Sequence, residues 1–244
     1  AIIAAGTTGE SSTLSDKEHR ELLDFTIKTV DGRIPVIAGT GSNDTNYAIS
    51  LSQEACELGY DALLCVTPYY NKATQNGLYT HFKTIADAST VPVILYNVPG
   101  RTGCSIPVSV VEKLSKHPNI VGIKEASGDM GYAMKVARFV GPDFAMYSGN
   151  DDITLPILAA GGSGVISVYA NVMPKMCHEI VMDYLNGEQA KEIIEKVWSV
   201  FEGKSGWTFV DFSALPAIER ASYAERHIVS PEFAKKQGPC ALIV

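Results

Sequence analysis

The chain has 244 residues, of which 46% are hydrophobic and 19% charged; this excludes an intrinsically disordered chain and supplies apolar material for one large core. A formal net charge of −7 leaves no basic face to neutralise phosphates, so nucleic acid is not an expected partner. No apolar run approaches the roughly 20 residues of a membrane span and none follows a basic leader, so a soluble, cytoplasmic protein acting on small molecules, with no membrane partner, is expected.

Along the chain one unit recurs: a short apolar run, a polar or glycine-bearing loop, then a segment with helical periodicity. The runs fall at residues 1–5, 34–39, 62–67, 91–96, 120–124, 144–148 and 164–168, and each reads as a strand. After the first, Ser15-Asp16-Lys17-Glu18 is a capping box, and Leu22, Leu23, Thr26, Ile27 and Val30 follow at helical spacing until Asp31-Gly32 stops the run. From Asp44 the stripe Ala48, Leu51, Ala55 and Leu58 ends at Gly59, a C-cap glycine. Similar stripes occur at Leu78/Phe82/Ile85, Val110/Val111/Leu114, Met130/Ala133/Met134/Ala137, Ile153/Ile157/Leu158, Ile180/Val181/Tyr184 and Ile193/Ile194/Val197/Phe201.

Repeats of roughly 30 residues whose strands are apolar on both faces imply a parallel sheet covered by helices. With no G-x-G-x-x-G turn and no P-loop, a (β/α)8 barrel is favoured over a doubly wound sheet, and chemistry then belongs at the strand C-termini. There the unusual residues gather: Thr7 and Thr8, Gly39-Thr40-Gly41, Thr67-Pro68-Tyr69-Tyr70, Tyr96 through Thr102, Lys124, Ser148 through Asp152, and Ile166-Ser167-Val168.

Among these Lys124 stands apart, because it closes the apolar run 120–124 before a glycine-containing turn. Desolvation there disfavours the ammonium and lowers a pKa of about 10.4, which makes a neutral amine available for a Schiff base with a carbonyl substrate. The ordinary alternative is a strand-end lysine that carries its charge out to water. Imine chemistry also needs proton shuttles, and Tyr96, Thr7 and Tyr70 have the hydroxyls for it, although a rim tyrosine is as commonly a packing aromatic. Arg101, in a Pro-Gly-Arg-Thr turn, offers a planar fork for a carboxylate or is simply a solvated loop arginine. The five cysteines are scattered without C-x-x-C and the five histidines are dispersed, so neither a disulfide nor a metal site is expected.

The runs GTTGES at 6–11, RIPVIAGTGSN at 33–43, VTPYYNK at 66–72, ILYNVPGRTG at 94–103, GIKEASG at 122–128, YSGNDD at 147–152 and GGSGVISVYANV at 161–172 resemble the dihydrodipicolinate synthase family. That family is a pyruvate-dependent class I aldolase group built on the (β/α)8 TIM barrel. The resemblance implies that Lys124 forms the imine with pyruvate, with no separate cofactor, and that Tyr96 is the central acid/base. It further implies that Thr7 and Tyr70 complete a proton relay, Tyr70 in a neighbouring subunit's site of a homo-oligomer, dimer or tetramer. Thr8 would hold the pyruvate carboxylate and Arg101 that of the second substrate, aspartate semialdehyde, while the backbone at Gly149 and Ile166 shapes the pocket. Sister lyases acting on N-acetylneuraminate or keto-sugar acids share the lysine and tyrosine but usually differ at the threonine pair and the arginine turn. They are the alternative reading, with a non-catalytic, truncated barrel as a further one.

Departures from the family pattern add expectations. A possible effector site keeps Ser11, His19, Asn43 and Tyr69, but Asp16 and Tyr47 stand where lysine-inhibited members carry a histidine and a glutamate, which implies weak lysine feedback. The chain starts within the family's second strand, so the first strand is missing from the expected barrel of residues 1–202. Residues 203–244 form an atypical C-terminal segment, read either as completing the barrel, with residues 207–212 in the first-strand slot, or as foreign to it.

Overall fold

The computed structural model describes residues 1–201. Seven strands, β1 (Ile2–Ala4), β2 (Val36–Gly39), β3 (Ala62–Val66), β4 (Val93–Asn97), β5 (Ile120–Glu125), β6 (Ala145–Ser148) and β7 (Gly164–Val165), form one sheet in sequence order, each parallel to the next. The helices between and after them are α1 (Asp16–Val30), α2 (Thr45–Leu58), α3 (Gln75–Ala88), α4 (Pro99–Thr102), α5 (Val108–Leu114), α6 (Met130–Val136), α7 (Thr154–Ala159), α8 (Pro174–Leu185) and α9 (Ala190–Phe201). Apart from the short α4, neighbouring helices pack side by side around the outside, from α1 on α2 through to α8 on α9.

Local signals act as the sequence predicts. Ser15 and Glu18 close a reciprocal capping box on α1, and Asp31 ends that helix at φ 49°. Asp44 accepts the first N–H groups of α2, and Gly59 ends it in the left-handed conformation, at φ 90°.

Strand side chains alternate between two environments. Leu63, Cys65, Leu95, Ile123 and Met146 pack outward, in the large core beneath the helices. Leu64, Ile94 and Tyr96 pack inward with Val98, and Ile3, Ile37, Val66 and Val121 lean on the same cluster. Side chains from β1 to β5 can share one small cluster only if the sheet curls, since neighbouring strands of a flat sheet lie about 4.8 Å apart. Curling brings strands close at β5, where a Cβ on Gly122 would lie 2.7 Å from the carbonyl oxygen of Ala145 on β6. The architecture is a (β/α)8-type barrel to which the described residues contribute seven strands. Residues 203–244, including the run 207–212 proposed for the first-strand slot, lie outside the described residues.

Some expectations need correction. β7 ends at Val165 rather than at residue 168, because the N–H groups of Val168 and Tyr169 turn away from the ladder to the Asp151 carboxylate, at 3.0 and 3.2 Å. In α6 the buried pair is Ala133 and Val136, while Met134 is 55% exposed, so the helix face is rotated from the predicted stripe. The Pro-Gly-Arg-Thr turn is a single helical turn, α4, started by Pro99 in the first helical turn, where its missing N–H is no loss. The apolar stripe of α8 is only half-buried, with no fully buried residue in that helix.

Candidate active site

Parallel strands deliver their C-terminal residues to one end of the barrel, and Lys124 is the penultimate residue of β5. The alternation that sends Ile123 outward turns Lys124 inward, where it is 7% exposed. Its register partner on β4 is Tyr96, and its Nζ lies 4.1 Å from the centre of the Tyr96 ring. Burial is the main influence on the amine and pulls its pKa down to about 8; the Asp151 carboxylate pushes it up, and the Arg101 guanidinium pushes it further down. At pH 7 a group of that pKa is about one-tenth neutral, whereas an ordinary lysine is neutral in fewer than about one molecule in a thousand.

Tyr96 is itself buried, which raises its pKa, while the Thr7 side chain beside it and the charge of Arg101 pull the other way. A phenol in this state keeps its proton and is available as a donor. Thr7 and Thr8 lie half-buried in the turn after β1, between two residues of left-handed backbone, Ala5 and Glu10, each at φ 53°. The Thr7 carbonyl accepts the Glu10 N–H at 3.0 Å, which closes that turn.

From β6 comes Gly149, whose N–H donates to the Glu125 carbonyl at 2.7 Å. A Cβ there would lie 2.6 Å from the Cβ of Ala126 and 3.0 Å from Cε of Lys124, so glycine leaves the room that the lysine stem occupies. Ile166 continues the β6–β7 ladder just past the strand, its N–H donating to the Ser148 carbonyl at 2.8 Å. Arg101 is exposed on α4 and bears on Lys124 and Tyr96 through its charge. Tyr70 is 89% exposed on the loop after β3, with a left-handed φ of 71° that costs a tyrosine strain energy.

The expected effector residues are tied into the scaffold. Ser11 is half-buried in a short 3-10 turn, and His19 is buried on α1 with Nε2 3.0 Å from the carbonyl oxygen of Gly39. Asn43 donates to the Asn71 side chain at 3.2 Å, and Tyr69 is half-buried. The two departing positions meet: Asp16 accepts from Arg20 at 2.9 Å and sits beside Tyr47, while Arg20 also pairs with Glu54 of α2.

Sequence reasoning missed two groups here. Asp151 accepts the Ser167 hydroxyl on one oxygen and two backbone N–H groups on the other, bracing the loops after β6 and β7 beside Lys124. Glu125 and Asn97, 1% and 0% exposed, hydrogen-bond each other directly behind Lys124 and Tyr96. A charged residue next to the lysine within a doubly buried strand was the available signal. Among the described residues, no cluster of His, Cys, Asp and Glu side chains is arranged to hold a metal ion, and no helix is long and apolar enough to cross a membrane.

A parallel barrel with a desolvated lysine held against a tyrosine at its strand ends defines the class of lysine-dependent aldolases. The chain belongs to the dihydrodipicolinate synthetase family, whose model matches residues 1–205. It is 48% identical over 218 residues to the 4-hydroxy-tetrahydrodipicolinate synthase of Acetivibrio thermocellus, a match covering 88% of this chain and 73% of the relative. To the synthase of the same name from Caldicellulosiruptor saccharolyticus it is 51% identical over 221 residues, 90% of this chain and 73% of that one. In structure it is similar to dihydrodipicolinate synthase from Aquifex aeolicus, with TM-score 0.79 and 36% identity over 98% of this chain and 86% of that one. The pyruvate complex of the chloride-inhibited Acinetobacter baumannii dihydrodipicolinate synthase gives TM-score 0.76 and 44% identity, covering 84% of this chain and 72% of that chain.

Proposed function

We propose that this chain is a lyase that condenses pyruvate with L-aspartate 4-semialdehyde, through an imine at Lys124, to give 4-hydroxy-tetrahydrodipicolinate for diaminopimelate and lysine biosynthesis. The observation that carries this reading is the buried Lys124 amine, 4.1 Å from the Tyr96 ring at the C-terminal end of β5. The names of the relatives and the pyruvate bound in one of them support the choice of substrates.

The neutral amine attacks C2 of pyruvate, and the carbinolamine loses water to an imine. Loss of a proton from C3 gives an enamine, whose carbon adds to the aldehyde of the second substrate. Attack of that substrate's own amine on the imine carbon closes the ring and releases Lys124. Each step moves a proton, and Tyr96, whose ring lies 4.1 Å from the nitrogen, is the donor and acceptor, with Thr7 as its link. Tyr70, exposed in its own chain, completes the relay in a second copy, and the working unit in this reading is a homo-oligomer. Thr8 holds the pyruvate carboxylate, Arg101 that of the aldehyde, and Gly149 and Ile166 form the pocket wall. The imine itself is the electron sink, so no further cofactor enters, and the enzyme acts in the cytoplasm.

The test is consumption of pyruvate with and without aspartate semialdehyde, set beside cleavage of N-acetylneuraminate and keto-sugar acids. Pyruvate consumption that depends on the semialdehyde is expected; turnover of the sugar acids alone would overturn the substrate assignment.

A further inference from the structure

Behind the lysine and tyrosine lies a buried polar pair with no part in the chemistry above. Asn97 and Glu125 are register partners, one residue beyond Tyr96 and Lys124 on β4 and β5. The period of two that turns Tyr96 and Lys124 inward turns Asn97 and Glu125 outward, into the layer between sheet and helices. Among the described residues no cation pairs with the Glu125 carboxylate. Its Oε1 accepts the Ser127 N–H at 2.6 Å and its Oε2 accepts Asn97 Nδ2 at 2.7 Å. Asn97 Oδ1 in turn accepts the Ile106 N–H at 3.0 Å and the Ser105 hydroxyl at 3.4 Å, which closes the excursion that carries α4 and Arg101. Ile106 is held at its other end by the Tyr132 hydroxyl, which donates to its carbonyl at 2.7 Å.

The direction of every bond in this chain is forced. A backbone N–H can only donate and a carboxylate can only accept, so the Asn97 amide has one permitted orientation. A buried carboxylate without a cation is costly; burial raises the Glu125 pKa and the charge of Asp129 adds to the rise, while the hydrogen bonds to Ser127 and Asn97 oppose it. A scaffold that only needed filling would use an apolar residue here.

We propose that Glu125 is a positioning residue for the imine lysine: through Asn97 it locks the end of β5 to the arginine-bearing turn after β4, fixing Lys124 and Arg101 relative to one another. This inference rests on the imine reading of Lys124.

The test reverses the polarity of the pair. In Glu125→Gln the introduced amide must point its NH2 either at the Asn97 amide or at the Ser127 N–H, and flipping Asn97 only moves the mismatch to Ile106. Asn97→Asp sets two carboxylates against each other. The double variant N97D/E125Q restores every bond, because the introduced amide donates to the introduced carboxylate, whose other oxygen takes Ile106 and Ser105.

The readout is the rate at which borohydride traps pyruvate on the Lys124 peptide, at saturating pyruvate and at a temperature where circular dichroism shows each variant folded. E125Q and N97D are expected to trap about tenfold or more slowly, and the double variant within about threefold of wild type. A role in stability alone would lower the melting temperature of the single variants and leave their trapping rate unchanged. E125Q trapping at the wild-type rate overturns the inference. So does a double variant that does not fold, or that folds and traps as slowly as E125Q. Wild-type protein that is not trapped overturns the imine reading itself, and that outcome is separate from these.

Discussion

Tyr96 and Lys124 are cross-strand partners on β4 and β5, and their register holds the lysine nitrogen 4.1 Å from the centre of the tyrosine ring. Two forces meet there. The ring face favours the ammonium, whereas loss of water favours the neutral amine, and the second prevails because Lys124 is 7% exposed. A usable fraction of free amine near neutral pH, about one-tenth at pH 7, is the result.

The rate of imine formation should therefore rise with pH through a midpoint near 8, where the amine loses its proton. The folded-state pKa lies below the value of about 10.4 in the unfolded chain, so at neutral pH burial of this lysine costs stability, a cost relieved as pH rises from about 8 to 10. Lys124→Met removes that cost. It should abolish imine formation while raising the melting temperature at pH 7 by several degrees, on the order of 1–3 kcal/mol. Thermal denaturation at pH 7 checks it, and a lower melting temperature would contradict the desolvation argument.

Tyr96→Phe keeps the ring against Lys124 and removes the proton carrier. Turnover should fall by about 100-fold to 10,000-fold with the melting temperature little changed. Steady-state kinetics beside a melting curve separate this from unfolding.

Gly149→Ala places a methyl group 3.0 Å from Cε of Lys124 and 2.6 Å from the Cβ of Ala126. The lysine stem has to move, and imine formation should slow by about tenfold to 100-fold, as an ångström-scale misplacement costs. Single-turnover trapping reads the loss directly.

Much of this site is legible in the sequence, for a physical reason. Doubly buried parallel strands are written as unbroken apolar runs, so the ends of β2 to β6 can be read off, and parallel topology gathers those ends at one mouth. Lys124 and Tyr96 are placed at that mouth in this way. Glu125 and Asn97 were missed, because their pairing depends on strand register, which no local pattern encodes. The grip of Asp151 on residues 167–169 is likewise long-range, and it cut β7 short. The strained backbone of Tyr70 left no mark on the sequence, since nothing but its φ of 71° distinguishes it from an ordinary loop tyrosine.

Arg101→Leu should raise the KM for aspartate semialdehyde by about tenfold or more, the loss of a charge-assisted carboxylate contact, with pyruvate trapping retained. Because the guanidinium depresses the Lys124 pKa, its removal should also move the pH midpoint of imine formation upward. Kinetics with each substrate varied in turn test the first effect, and a pH profile the second.

Asp16 and Tyr47, the two positions expected from the sequence to depart from lysine-inhibited members, meet beside the Arg20–Glu54 pair. Added L-lysine should leave the initial rate nearly unchanged, and a saturable loss of rate would show that the site accepts lysine despite those side chains.

The central claim is that Lys124 is the nucleophile toward pyruvate. It is tested most directly by incubating the protein with pyruvate, reducing with borohydride, digesting and weighing the peptide that carries Lys124. A mass gain of one reduced pyruvate on that peptide, absent without pyruvate and absent from Lys124→Met, is the predicted result. An unmodified Lys124 peptide, under conditions that trap a lysine-dependent aldolase run alongside, would contradict it.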